Sequence, residues 1–303
     1  MGRLAPSPTG SLHLGHARSF LLAWWHARSR GGHIVMRMED LDGPRCEPRF
    51  VDQALFDLEW LGIDWDGPVL LQSTGLPRFA EAIDRLLHTG AAYPCVCSRG
   101  EIRAAQSAPQ RGAAEPRYPG TCRGRFATAA QALSATGREA GVRFRVRPGS
   151  VVVDDRFAGR HEFDVEASVG DFLIGRRDGA PAYQLAVVLD DAQQGVTEIV
   201  RGDDLLPSAA RQLLLQRALG LPAADYYHVP LVLDDTGRRL AKRHDDLGLS
   251  QLRERGTDPR ALVSWVAASA GIVTGEPLSA REYLPLFELT RVPRTSVIAP
   301  TRF

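Results

Sequence analysis

Residues 3–16 read Arg3-Leu4-Ala5-Pro6-Ser7-Pro8-Thr9-Gly10-Ser11-Leu12-His13-Leu14-Gly15-His16, and the way this stretch folds decides the architecture. Arg3, Leu4 and Ala5 suit a short strand, which Pro6 and Pro8 end because proline cannot donate to a ladder. Gly10 turns the chain. From His16 onward Ala17, Phe20, Leu21, Trp24 and Ala27 recur at helical spacing until Gly31 and Gly32 stop them. His13, Gly15 and His16 therefore sit where a strand-loop unit passes into a helix N-terminus, whose free N–H groups and dipole favour a phosphate. Two imidazoles there can donate to phosphate oxygens, and the bare Gly15 lets a flat ring lie against the backbone. A histidine pair at a helix start is more often a cap or a surface feature, so this pair alone decides nothing.

Next in the chain, His33-Ile34-Val35-Met36-Arg37-Met38-Glu39-Asp40 reads as a second strand. Its alternation puts Arg37 and Glu39 on one face and Met36 and Met38 on the other. Strand, helix and strand in this order imply a right-handed βαβ unit with parallel strands. Ligands bind beyond the carboxyl ends of such strands. Arg3, Ala5 and Ser7 share one side of the first strand and Glu39 ends the second, so these four would line one crevice. A solvated strand end with an ion pair is the plainer alternative.

Amphipathic patterns predict helices over 47–61 and 76–88. Beyond Tyr93 the chain becomes rich in Arg, Ala, Gly and Pro up to Cys122, and residues 104–117 have the composition of a loop. Val142 to Val146 and Val151 to Val153 read as strands paired around Pro148-Gly149. This middle part reads as an insertion between two halves of a parallel domain. The second half starts with a strand at Gly170-Asp171-Phe172-Leu173-Ile174 and continues with a helix over 181–191, with Pro181 at its first turn. A strand over 195–202 then delivers Arg201 at its carboxyl end. A helix over 208–219 and a strand over 228–233 follow, and residues from 249 onward turn helical.

Composition sets the outer limits. The chain has 303 residues, 44% of them hydrophobic, which is enough for two or three domains with real cores. Its net charge of +1 means that an RNA partner would have to be held by local basic patches. No apolar run approaches a membrane span, and the start lacks the basic and apolar stretches of a signal peptide. Four cysteines are too few for a disulfide scaffold of this size. A cytoplasmic enzyme is expected.

Ala5-Pro6-Ser7-Pro8-Thr9-Gly10-Ser11-Leu12-His13-Leu14-Gly15-His16 resembles the opening of class I aminoacyl-tRNA synthetases of the glutamate and glutamine group. Arg37-Met38-Glu39-Asp40, Tyr183-Gln184-Leu185-Ala186-Val187-Val188-Leu189-Asp190-Asp191 and Val200-Arg201-Gly202-Asp203-Asp204 follow in the order that family uses. Its second signature, Lys-Met-Ser-Lys-Ser in the usual form, is matched imperfectly by Arg239-Leu240-Ala241-Lys242-Arg243. Lys242 keeps the second lysine, while Arg replaces the first lysine and Ala the serine.

The resemblance implies an α/β fold: a Rossmann-like parallel sheet split by a small zinc-binding insertion, with a short helical C-terminal region like a stem-contact segment. Residues 1–92 and 170–248 would form the catalytic halves, 93–169 the insertion, and 249–303 the helical tail, with no anticodon-binding domain. It implies ATP sites at His13, Gly15, His16 and Lys242, with His13, His16 and Lys242 stabilising charge on the reacting phosphates. It implies a glutamate pocket of Arg3, Ala5, Ser7, Glu39, Tyr183 and Arg201. An amino acid with a charged side chain needs cations for two carboxylates and an anion for its ammonium, and these residue types provide both. Val187 stands one turn beyond Tyr183, where the longer glutamate enzymes tend to carry a polar residue.

Cys95, Cys97 and Cys122 fall within the expected insertion, and three thiols leave a four-coordinate ion one ligand short. They read either as a metal site or as three reduced, partly buried thiols. The resemblance implies a structural Zn²⁺ with Tyr118 as the fourth ligand. Cys46 stands apart.

The expected activity is ATP- and Mg²⁺-dependent formation of glutamyl-adenylate from L-glutamate. The short branch of the family further implies transfer of glutamate to queuosine at the wobble position of tRNA(Asp), by a monomer with no membrane attachment. Charging of a tRNA 3′ end, or a silent tRNA-binding role, are the alternatives.

Overall fold

The structure, a computed structural model, describes residues 1–105, 116–240, 248–300 and 303. Its first unit is β1 (Gly2–Leu4), α1 (Leu14–Arg28) and β2 (Ile34–Met38), followed by α2 (Pro48–Trp60), β3 (Leu70–Leu71) and α3 (Leu76–His88). β1 pairs with β2 and β2 with β3, both in parallel, with Arg3 opposite Val35 and Arg37 opposite Leu70. The expected βαβ unit is therefore present. α1 buries Leu14, Ala17, Leu21, Trp24 and Trp25, so it is apolar on more than one side, as a helix covered on several faces must be.

The middle of the chain contains β4 (Ala92–Cys95), α4 (Arg99–Ala104), α5 (Ala129–Thr136), β5 (Gly141–Phe144), β6 (Ser150–Asp155), β7 (Gly159–Asp164), α6 (Val165–Ser168) and β8 (Phe172–Gly175). Here the structure corrects the sequence-based pairing. β5 and β6 do not pair across Pro148-Gly149. β5 instead lies antiparallel between β4 and β8, and β6 forms a hairpin with β7. The hairpin turns at residues 155–158, where Asp155 Oδ1 accepts the Phe157 and Ala158 N–H groups at 2.9 and 2.6 Å. That aspartate turn closes the ladder, and Pro148-Gly149 merely passes the chain between sheets.

α7 (Tyr183–Gln193), β9 (Glu198–Gly202), α8 (Leu206–Leu219), β10 (Asp225–Val229) and β11 (Val232–Leu233) come next. β9 and β10 pair in parallel, Arg201 opposite His228. Thr197 and Glu198 donate their N–H groups to Met1 O at 2.9 and 3.2 Å, which sets β9 beside β1. Two expectations shift. Pro181 lies ahead of α7, in a bridge with Gly175, and Tyr183 takes the first helical position. The strand expected over 228–233 is two strands, because Pro230 has no N–H with which to continue the ladder.

The chain ends with α9 (Leu249–Glu254), α10 (Pro259–Ser269) and β12 (Val297–Ile298), the last parallel to β11. This segment packs onto the first unit. Trp25 donates its indole N–H to Ala280 O at 2.8 Å and meets Tyr283 and Phe287 with ring centroids 5.8 and 5.5 Å apart. One core joins α1, β2 and α10, a second joins α3, β6, α7 and α8, and a third surrounds Tyr93, Cys95, Tyr118 and Cys122. Among the described residues, no helix is long and apolar enough to cross a membrane.

Candidate functional site

His13 is the N-cap of α1 and His16 its third residue, and the two side chains cap each other's turn. His13 Nδ1 accepts the Gly15 N–H at 3.1 Å, and His16 Nδ1 accepts the His13 N–H at 3.1 Å. A nitrogen that accepts cannot carry the proton of a neutral imidazole, so both rings carry it on Nε2. The donor of each ring is thus Nε2–H. Gly15 suits the same geometry: a Cβ there would stand a tight 3.0–3.1 Å from the His13 ring. The capping role and the phosphate-binding role are compatible, because they use different ring nitrogens.

Arg3 and Arg37 reach across the sheet to the acidic end of α7. Arg3 Nε lies 3.3 Å from Asp191 Oδ1. Arg37, wholly buried, places Nη1 2.8 Å from Asp191 Oδ1, Nε 3.6 Å from Asp190 Oδ2 and Nη2 3.3 Å from Glu39 Oε1. Burial alone would lower the Arg37 pKa, but Asp191 and Glu39 hold it above its ordinary value. Gln72 and Arg78 also donate to Asp190. Ser7 Oγ stands 3.5 Å from Glu39 Oε2, and the Glu39 N–H donates to Pro6 O at 2.9 Å, which ties the β2 end to the loop after β1 and half-buried Ala5.

Tyr183, 42% exposed, faces this group from the first turn of α7. Burial raises the pKa of its hydroxyl and Glu39 raises it further, while Arg201 and Arg3 oppose them. These charges share one neighbourhood. Arg201 is buried at the end of β9, with its guanidinium carbon 5.1 Å from the Tyr226 ring centroid. It donates through Nε to His228 Nε2 at 2.9 Å and through Nη2 to Gln212 Oε1 at 2.9 Å. A cleft of about 1170 Å³ runs from Ser7, Glu39 and Tyr183 past Arg176 to Arg143 and the cysteines.

Cys95, Cys97 and Cys122 bring their sulfurs within 4.8 Å of one another. Cys97 Sγ lies 3.5 Å from Cys122 Sγ, and the Tyr118 hydroxyl is 3.4 Å from Cys95 Sγ and 3.7 Å from Cys97 Sγ. Around a tetrahedral zinc, sulfurs stand about 3.8 Å apart and a phenolic oxygen about 3.6 Å from them, as follows from bond lengths near 2.3 and 2.1 Å. The four side chains fit such an ion. Burial, with Cys95 next to it, pushes the Cys97 thiol up to about 12. Arg143 Nε donates to Cys95 Sγ at 3.3 Å and its guanidinium stacks 3.9 Å over the Tyr118 ring, which would offset the excess negative charge of four anionic donors. Gly170, with φ of +71°, lets this pocket close: a Cβ there would fall 2.4 Å from Tyr118 O.

Lys242 lies outside the described residues. Its neighbour Arg239 pairs with Asp204 just beyond β9, and buried Leu240 donates its N–H to Val232 O at 3.2 Å. Sequence reasoning missed three parts of the site: Asp190 and Asp191 as counter-ions, Gln212 as an arginine partner, and the Asp155–His228 pair behind Arg201. The Arg37 and Asp190-Asp191 motifs were visible, but their pairing across the sheet was not.

The model of the family described as tRNA synthetases class I (E and Q), catalytic domain, matches residues 1–282. The chain is 44% identical to a glutamyl-Q tRNA(Asp) synthetase of Symbiobacterium thermophilum, covering 99% of this chain and 95% of that one. It is 41% identical to the protein of the same name from Nitratidesulfovibrio vulgaris, with the same coverage. Among solved structures, a glutamate tRNA ligase from Elizabethkingia meningosepticum in complex with its amino acid superposes with a TM-score of 0.82 at 26% identity, over 98% of this chain and 66% of that one. The glutamate-tRNA synthetase of Elizabethkingia anophelis gives a TM-score of 0.83 at 24% identity, over 99% and 68%.

Proposed function

Because this chain belongs to the class I tRNA synthetases of the glutamate and glutamine group and is a ligase of that family, we propose that it converts L-glutamate and ATP to glutamyl-adenylate and passes the glutamate to queuosine at the wobble position of tRNA(Asp). The observation that carries this reading is the 41–44% identity, over 95% of their length, to proteins named for that reaction. The likeness to glutamate tRNA ligases is lower at 24–26% and spans about two thirds of those chains.

In this reading the α-carboxylate of glutamate attacks the α-phosphorus of MgATP in line and pyrophosphate leaves. The step needs alignment and charge stabilisation more than a general base. The Nε2–H groups of His13 and His16, the Gly15 backbone and Lys242 attend the phosphates. Glu39 takes the ammonium, Arg201 and Arg3 the carboxylates, and Ser7, Ala5 and Tyr183 shape the pocket. Arg3 and Arg37 are balanced by Asp190 and Asp191, which limits the positive charge beside the crevice.

Zinc held by Cys95, Cys97, Tyr118 and Cys122 would be structural and joins no chemical step. Residues 1–92 and 170–248 would serve as catalytic halves, 93–169 as the insertion and 249–303 as a stem-contact-like region, in an enzyme working in the cytoplasm as a monomer. The sequence leads one to expect helix throughout that last region, which is helical at α9 and α10 and instead closes with β12. Glutamate-dependent ATP–pyrophosphate exchange, followed by transfer of labelled glutamate to tRNA prepared with and without queuosine, tests the proposal. Exchange with glutamate and transfer only to queuosine-containing tRNA is expected. Transfer to both pools alike contradicts the acceptor.

A further inference from the structure

Arg201 differs from the other buried arginines of the crevice. Arg3 and Arg37 each face a carboxylate. Among the described residues Arg201 bonds to an imidazole nitrogen, to the Gln212 amide oxygen and, at 3.4 Å, to Leu205 O, all uncharged, and its Nη1 is buried with no hydrogen-bond partner. Behind it stands a second pair: His228 Nδ1 lies 2.6 Å from Asp155 Oδ2, with both side chains fully buried. Asp155 is also fixed from its own side, since it accepts the N–H groups of Phe157, Ala158 and His228.

The direction of every bond in this chain is forced. Arg201 Nε can only donate, so His228 Nε2 must accept and carry no proton. Its single proton therefore sits on Nδ1 and is donated to Asp155. We propose that Asp155 and His228 are positioning residues for glutamate: they orient Arg201 through a neutral imidazole, so its charge stays available to a substrate carboxylate. A carboxylate placed directly on Nε would orient the guanidinium equally well but would offset part of that charge, as Asp191 does at Arg3. Asp155 comes from the β6–β7 hairpin, so a segment of the expected insertion shapes the amino-acid pocket of the parallel sheets. The inference rests on the reading that Arg201 holds a carboxylate of glutamate.

The test compares two amides in pyrophosphate exchange with the full-length protein. In His228→Gln the amide oxygen can reach the Nε2 position and accept from Arg201. In His228→Asn it can reach only the Nδ1 position, so Arg201 loses its acceptor. His228→Asn should raise the glutamate KM about 10- to 100-fold, the loss of one hydrogen bond to a charged group, and leave the ATP KM within about twofold. His228→Gln should keep the glutamate KM within about threefold of wild type. Equal glutamate KM values in the two variants, or ATP and glutamate KM rising together, overturn the inference. A wild-type protein without glutamate-dependent exchange sinks the proposed function instead. Should either variant fail to fold, ¹⁵N NMR of the histidine rings in wild-type protein decides: a neutral His228 protonated on Nδ1 is expected, and an Nε2–H or doubly protonated ring overturns the inference.

Discussion

His16 Nδ1 accepts the backbone N–H of His13 at 3.1 Å, and the two rings lie with centroids 3.8 Å apart. One side chain thus closes the helix start and points a ring N–H away from it. His16→Asn separates the two tasks, because the amide oxygen can replace Nδ1 as the cap while nothing replaces the Nε2–H. The variant should keep its thermal stability within about 1 kcal/mol and lose about two to three orders of magnitude in exchange kcat. Calorimetry and exchange kinetics on the same sample check it; a kcat near wild type would leave His16 with a capping role only.

For the cysteine cluster, protein purified without chelators should contain about one zinc per chain. Cys122→Ser should lower that content and the melting temperature, and pyrophosphate exchange should remain in part because the metal serves structure. Elemental analysis and a melting curve provide the check.

Asp57 offers a pH prediction. It is fully buried on α2, and Arg253 of α9 lies 3.3 Å away. Burial raises its pKa to about 6 and nearby Glu254 adds to this, while Arg253 opposes both. An acid whose folded pKa exceeds its unfolded value of 3.8 binds more protons when folded. Its contribution therefore falls as pH rises from about 4 to about 6 and stays low above that, by up to about 3 kcal/mol. Asp57→Asn should be more stable than wild type near pH 8, with the gap closing near pH 4. Denaturant melts at both pH values measure it, and a gap independent of pH would contradict it.

Lys242 supplies the fourth prediction. A cation acting on the departing pyrophosphate is worth about 3–4 kcal/mol, or two to three orders of magnitude in rate. Lys242→Ala should depress exchange kcat by that factor with little change in glutamate affinity. Given preformed glutamyl-adenylate, the variant should still transfer glutamate to tRNA. An unchanged exchange rate would mean that the second signature has been misaligned.

The chemistry-bearing motifs were legible because each is local: a strand end, a loop and a helix start within residues 3–16, or two cysteines with one residue between them. What escaped depends on distance in the chain. Asp155 lies 73 positions from His228, and His228 lies 27 from Arg201, and no spacing rule links them. The same holds for β5 and β6, adjacent valine-rich stretches that look like a hairpin. The aspartate turn at residue 155 closes a different hairpin, and β4 and β8 take β5 for their own sheet. Arg201 was expected from sequence as part of the glutamate pocket. Its bonds to His228 and Gln212 show that it also satisfies two buried acceptors, so its loss costs the fold as well as the ligand.

The most direct measurement is the position of the label after reaction with labelled glutamate, ATP and queuosine-containing tRNA(Asp) whose 3′-terminal adenosine has been removed. Nuclease digestion and mass analysis should find glutamate on the wobble queuosine, formed only with ATP and as efficiently as on intact tRNA. Loss of labelling on the trimmed tRNA, with label on the terminal adenosine of the intact one, would contradict the account.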